Sequence, residues 1–161
     1  METWLAIASK RDVRDYAETP IPPDVEHRIL DAGRVSGSSQ NTQRWEFAVV
    51  ESMRQELSEC VYAPRNVATA QLVVAIVGDA AGFDVGRASQ NMMLAAWDAG
   101  VASCPNGIKD ADGAARVCGG DVKMVLSFGY PAKPRDVSAH TADDWSARAK
   151  RTPFDELVRR V

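Results

Sequence analysis

The run Leu72-Val-Val-Ala-Ile-Val-Gly78 limits the possible folds more than any other stretch of this chain. Six apolar residues in succession, most of them β-branched, make a strand of ordinary length that is hydrophobic on both faces. Such a strand needs a covering layer on each side, so it belongs at the centre of a sheet with helices above and below. The next apolar pattern changes period. From Asp84, the residues Val85, Ala88, Met92, Ala95, Ala96 and Ala99 recur three or four apart, and Gly100 follows as a stop, which predicts a helix over Asp84–Gly100. Its Ala and Met stripe suits close helix packing and is the expected core of an isologous dimer.

Other segments fit around this pair. Pro22 and Pro23 precede a helix with Val25, Ile29 and Ala32 on one face, and Gly37 closes it or the turn behind it. Glu46–Glu51 and Val122–Gly129 read as strands. Ser52, with Gln55 three residues on, predicts a capped helix with Met53, Leu57, Cys60 and Val61 as its apolar stripe. Only about ten residues then remain before Leu72. Tyr130–Arg151 reads as an extended surface connection, and Thr152-Pro153 as the start of a short C-terminal helix. The expected class is α+β, one domain over residues 1–161.

Composition excludes several functions. With Lys+Arg 19 against Asp+Glu 22, the formal net charge is -3, whereas nucleic-acid and membrane-surface binders carry clustered basic excess. The longest apolar run is far short of the ~20 residues that cross a bilayer, and Lys10 and Arg11 interrupt the first apolar stretch, so no signal peptide is expected. Cys60, Cys104 and Cys118 form no CxxC pair, which fits a reducing, cytoplasmic setting. His27 and His140 are too few for a histidine-rich metal site. Ser-His-Asp order, a Walker loop and GxGxxG are all missing.

Three clusters can carry chemistry. Lys10-Arg11-Asp12-Val13-Arg14 places three cations within five residues, and planar guanidinium groups pair bidentately with phosphate oxygens. Taken alone, the cluster also fits a solvated helix end, and Asp12 opposes an anion there. Ser36-Gly-Ser38-Ser-Gln-Asn41-Thr-Gln43 offers hydroxyls and amides that can bond the polar edge of a planar heterocycle, or simply make a polar turn. Gly100-Val-Ala-Ser-Cys104-Pro105-Asn106-Gly107 follows the strongest helix either as an accessible turn or, the better reading when taken alone, as a helix stop leading into a short strand, with Cys104 better read as a packing thiol than as a nucleophile.

In order, these pieces resemble the nitroreductase family of flavin enzymes. Lys10-Arg11-Asp12-Val13-Arg14 matches the family's basic-pair, Ser, x, Arg opening with Asp in place of Ser. Gly37-Ser38-Ser39-Gln40-Asn41-Thr42-Gln43-Arg44-Trp45 matches its Pro-Ser-x-x-Asn-x-Gln-Pro-Trp motif with both prolines lost. Phe47-Ala48-Val49-Val50, Asn91 to Val101, Gly129-Tyr130-Pro131 and Arg151 to Glu156 follow in family order.

The resemblance implies a central mixed, mainly antiparallel sheet flanked by helices, in a domain-swapped homodimer with FMN at the interface. It implies that Lys10, Arg11 and Arg14 hold the phosphate, ribityl chain and pyrimidine edge, with Arg151 closing on the phosphate. Ser38, Asn41 and Gln43 would reach the ring from the partner subunit. The backbone at Cys104, Pro105 and Asn106 would face the reactive side. The implied activity is ping-pong electron transfer from NAD(P)H to a nitroaromatic, quinone or related small acceptor. Because the flavin carries that chemistry, no catalytic acid or base is required of the chain. The short span before Leu72 implies a trimmed lid. Two alternatives stand beside this reading: a specialised flavin enzyme of the dehalogenase or flavin-fragmenting type, and a dimeric binding protein that has lost the cofactor, which Asp12 favours.

Overall fold

The structure, a computed structural model, describes residues 1–161. In chain order the elements are α1 (Thr3–Ser9), α2 (Pro23–Arg34), β1 (Trp45–Val49), α3 (Arg54–Glu59), α4 (Pro64–Ala68), β2 (Leu72–Gly78), α5 (Gly82–Asp98), β3 (Ala102–Asn106), α6 (Ala111–Cys118), β4 (Val122–Gly129), α7 (Ala142–Arg148) and α8 (Phe154–Leu157). The chain forms two compact units, Met1–Lys10 with Arg135–Val161, and Arg11–Pro134.

The larger unit is built on a four-stranded sheet in the order β1-β2-β4-β3. All three ladders are antiparallel, and the parallel component is a single bridge between Asp12 and Ser103. Strand β2 lies inside the sheet, as its uniformly apolar run requires. Alternation divides its side chains. Leu72, Val74 and Ile76 join Leu126 and Phe128 of β4, Ile29 of α2, and Val85, Ala88, Met92 and Ala96 of α5 in one buried core. Val73, Ala75 and Val125 face the other way, where α4 and α6 pack on β4. Both faces are thus covered.

Helix α5 runs almost as its spacing predicts, and Gly100, at φ 75, ends it in the left-handed conformation that glycine adopts most easily. Its apolar stripe has a different role from the expected one. Ala88, Met92 and Ala96 are fully buried inside their own protomer, against α2 and the sheet, and cannot form the core of a dimer.

Several boundaries also differ. Strand β1 begins at Trp45, and Ser52 lies in a turn, so α3 starts at Arg54 behind Met53 with no side-chain cap. Met53 is correspondingly exposed, while Leu57, Cys60 and Val61 are buried. The span before Leu72 forms α4, whose Asn66 and Val67 are buried where the helix packs on β3 and β4.

In the smaller unit, α1 packs on α7. The stretch read as an extended connection contains α7, capped by a reciprocal Thr141–Asp144 box and anchored where Trp145 Nε1 donates to Val137 O at 3.0 Å. Helix α8 is one turn long, starts after Pro153 instead of Thr152, and is exposed.

Candidate functional site

The predicted site residues of the larger unit fall at two places on the sheet. The first is the β3 edge. Here Val13 N donates to Ser103 O at 3.1 Å, Ala17 N to Tyr130 O at 2.8 Å and Ala132 N to Asp15 O at 3.0 Å, so the segment carrying Arg11 and Arg14 is stitched to β3 and to the chain leaving β4. Asp12, Arg14 and Tyr16 alternate along this extended run, and both charges act on the Tyr16 hydroxyl. Arg11 is half-buried; Asp12 and Arg14 are exposed.

Residues 102–106 are a strand after the helix stop, as the plainer reading of this stretch has it, and not an accessible turn. Cys104 and Asn106 are buried, Pro105 is half-buried and Gly107 is exposed. Asn106 Nδ2 donates to Cys104 O at 3.0 Å, Val125 O at 3.3 Å and Ser127 Oγ at 3.1 Å. Its Oδ1 accepts from Asn66 Nδ2 at 3.0 Å, and Asn66 also lies 3.8 Å from Cys104 Sγ. Both side chains are therefore committed to the interior. Along the outer edge beyond the Asp12 bridge, Pro105 has no N–H and its carbonyl accepts from Cys104 Sγ at 3.3 Å, and Tyr62 N donates to Gly107 O at 3.0 Å.

The second place is the polar loop ahead of β1. Ser38 Oγ accepts from Gln43 N at 2.9 Å, and Gln43 Nε2 donates to Asn41 Oδ1 at 3.2 Å. Gln40, Asn41 and Gln43 have φ of 52, 56 and 48. Left-handed backbone is uncommon outside glycine and marks stored strain at functional loops. The loop is secured from α5. The buried carboxylate of Asp84 accepts from Ser39 N at 3.0 Å and lies 3.8 Å from Arg87, and Asn91 Nδ2 donates to Ser36 Oγ at 2.7 Å. Ser39, Gln40, Thr42, Arg44, Asp79 and Asp84 line an open cavity of about 250 Å³ beside it.

These two places are opposite corners of the sheet. β2 and β4 lie between β1 and β3, about 14 Å across three strand spacings, and the Ser103 level is displaced from the Trp45 level by about 20 Å along the strands. Lys10 and Arg151 belong to the smaller unit; Lys10 caps α1 by donating its N–H to Ala6 O, and Arg151 is exposed.

Known proteins of the same architecture share this fold. The nitroreductase family model matches residues 7–82, and the whole fold superposes on solved members. The chain has the nitroreductase fold. The nitroreductase family protein of Streptococcus pneumoniae TIGR4 matches with a TM-score of 0.83 at 15% identity, over 99% of this chain and 100% of that one. The "putative nitroreductase in complex with fmn" of Desulfovibrio desulfuricans gives 0.82 at 20% identity, over 100% and 98%. A curated relative from Methanothermobacter thermautotrophicus, named "Putative NADH dehydrogenase/NAD(P)H nitroreductase", is 28% identical over 118 residues, which is 67% of this chain and 62% of that protein. The match thus spans less than two thirds of that relative. The nitroreductase fold accounts for the antiparallel sheet between helical layers.

The donor set suits a flavin mononucleotide. Two guanidinium groups on a pinned segment match a phosphate, and a neutral loop of hydroxyls and amides matches a heteroaromatic edge. Residues that the sequence did not single out are those that hold this set in place: Tyr16, Asn66, Asp84, Arg87 and Ser127. Asp84 sits in the first turn of the strongest helix, where an acidic residue is a readable sign. Tyr16 and Ser127, 111 positions apart, give no local sign.

Proposed function

We propose that this chain is a homodimeric FMN-dependent oxidoreductase that takes electrons from NAD(P)H and passes them to a small oxidised acceptor such as a nitroaromatic or quinone, in ping-pong order. The observation that carries the reading is the placement of the two polar groups at opposite corners of one sheet, farther apart than a single flavin ring system extends. One protomer cannot close both around one cofactor. A second copy, presenting its Ser38–Gln43 loop to the β3 edge of the first, completes the site.

FMN, when bound, supplies the redox chemistry and exchanges electron pairs with each substrate in turn. The chain's own residues bind and orient. Arg11 and Arg14 neutralise and grip the phosphate. The β3 backbone at Cys104, Pro105 and Asn106 supports the reactive side of the ring, while Ser38, Asn41 and Gln43 of the loop bond its polar edge. The strained, prepaid geometry of the loop limits the ordering cost on binding.

Asp12 supports a second reading, a dimeric binding protein on the same scaffold that has given up the cofactor, because its carboxylate shares the segment with the phosphate-binding cations. The visible spectrum of the purified protein, followed by FMN titration and NADH or NADPH oxidation with a quinone, separates the two. Bound flavin and acceptor-dependent NAD(P)H consumption support the enzyme. A colourless protein that takes up no FMN supports the binding protein.

A further inference from the structure

At the β3 corner, one continuous set of buried hydrogen bonds ties four parts of the fold together. Asn66 of α4 donates to Asn106 of β3, Asn106 donates to Ser127 Oγ of β4, Ser127 Oγ donates to Cys104 O at 3.2 Å, and Tyr16 Oη lies 3.0 Å from Ser127 Oγ and 3.2 Å from Ser127 O. One arrangement of protons satisfies every member, with the Tyr16 hydroxyl donating into Ser127. Tyr16 is the terminal link and the only one on the segment that bears Arg11 and Arg14.

The ring of Tyr16 is held as firmly as its hydroxyl. It is 8% exposed, and it lies on Gly129, where a Cβ would stand 2.9 to 3.0 Å from three Tyr16 atoms. Gly129 does not have a positive φ, so the space required by this ring, and not backbone conformation, excludes a side chain there. Burial pushes the Tyr16 hydroxyl far above its ordinary range, which keeps it a proton donor throughout the working pH range.

We infer that Tyr16 is a positioning residue for the cofactor phosphate: its ring on Gly129 and its hydroxyl on Ser127, both of β4, hold the Arg11–Arg14 segment in register where it runs along β3, so that both guanidinium groups are presented in one geometry. The inference rests on the flavin reading above and assigns the origin of its phosphate selectivity. A loosened segment keeps the charge but loses the fixed geometry that bidentate pairing needs.

The test compares FMN with riboflavin, which has the same ring and ribityl chain but no phosphate. Binding to the flavin-free full-length protein is followed by quenching of flavin fluorescence, alongside the melting temperature of that protein. For Tyr16→Phe, which retains the ring, FMN binding is expected to weaken about tenfold, the worth of one well-placed buried hydrogen bond. Riboflavin binding should stay near the wild-type value, so the FMN-to-riboflavin preference collapses by the same factor. Gly129→Ala displaces the ring from the other side and is expected to reduce the preference in the same direction. An unchanged preference in Tyr16→Phe, or equal weakening of both ligands, overturns the inference while leaving the flavin enzyme standing. Failure of the wild-type protein to bind either flavin overturns both.

Discussion

The two corners of the sheet carry complementary parts of the proposed site and are held in different ways. At the β3 corner the functional segment is pinned by backbone pairing and by a buried polar network reaching Asn66. At the β1 corner the loop of Ser38–Gln43 is exposed, holds itself by short-range side-chain bonds, and depends on α5 through Asp84 and Asn91. The first corner is fixed by tertiary structure and stores no left-handed backbone. The second is fixed locally, at the cost of three residues with positive φ. A site divided between copies needs both properties: a rigid cradle in one protomer, and a preformed projection from the other.

The largest expected effect tests the cradle. Replacing Arg11 and Arg14 together by Ala removes two charge-assisted contacts and should weaken FMN binding on the order of 100-fold, measured by fluorescence titration. Retained affinity would place the phosphate elsewhere.

Next comes the tether of the projection. Asp84→Ala leaves Ser39 N–H and Arg87 without their buried acceptor and should destabilise the protein by about 2 kcal/mol in urea unfolding. If the two corners serve one site, the same variant should also lower flavin affinity although Asp84 touches no cofactor.

Asp12→Ser has a smaller and opposite effect at the cradle. Removing an exposed carboxylate beside the cations should tighten FMN about fivefold at low ionic strength, and the gain should shrink in salt. An absence of any change would show that Asp12 faces away from the phosphate.

The smallest effect probes the strain in the loop. Gln40→Gly at φ 52 should raise stability by about 0.5–1 kcal/mol, read from the melting temperature, while making the loop more mobile and flavin binding weaker. Gain in both properties would mean that the strain has no part in binding.

Some of this organisation is legible in the residues and some is not. Leu72–Gly78 and Val122–Gly129 were read at their true boundaries because hydrophobic character alone decides a central strand. Asp110 and Gly119 flank α6 as N-cap and left-handed stop, a readable pair that the scarcity of large apolar residues between them conceals. Helix α7 has Asp in place of the usual Glu of its capping box, within a charged stretch that resembles a loop. The cations and amides of the proposed site were legible as residue types. Their division between two corners was not, because it depends on strand order, and strand order is set by contacts between residues far apart in sequence. The packing of the α5 stripe within the protomer was not legible for a related reason: an apolar stripe declares only that it is buried, not by what.

The bridge from Asp12 to Ser103 has one more consequence. Strand β3 ends the sheet, and an uncovered strand edge is a template on which a foreign strand can polymerise. The Arg11–Tyr16 segment occupies part of that edge and surrounds it with charge, so the residues proposed to hold the cofactor also guard the protein's solubility. Selection for one protects the other, and a lineage that abandoned the cofactor would still have reason to keep its cations.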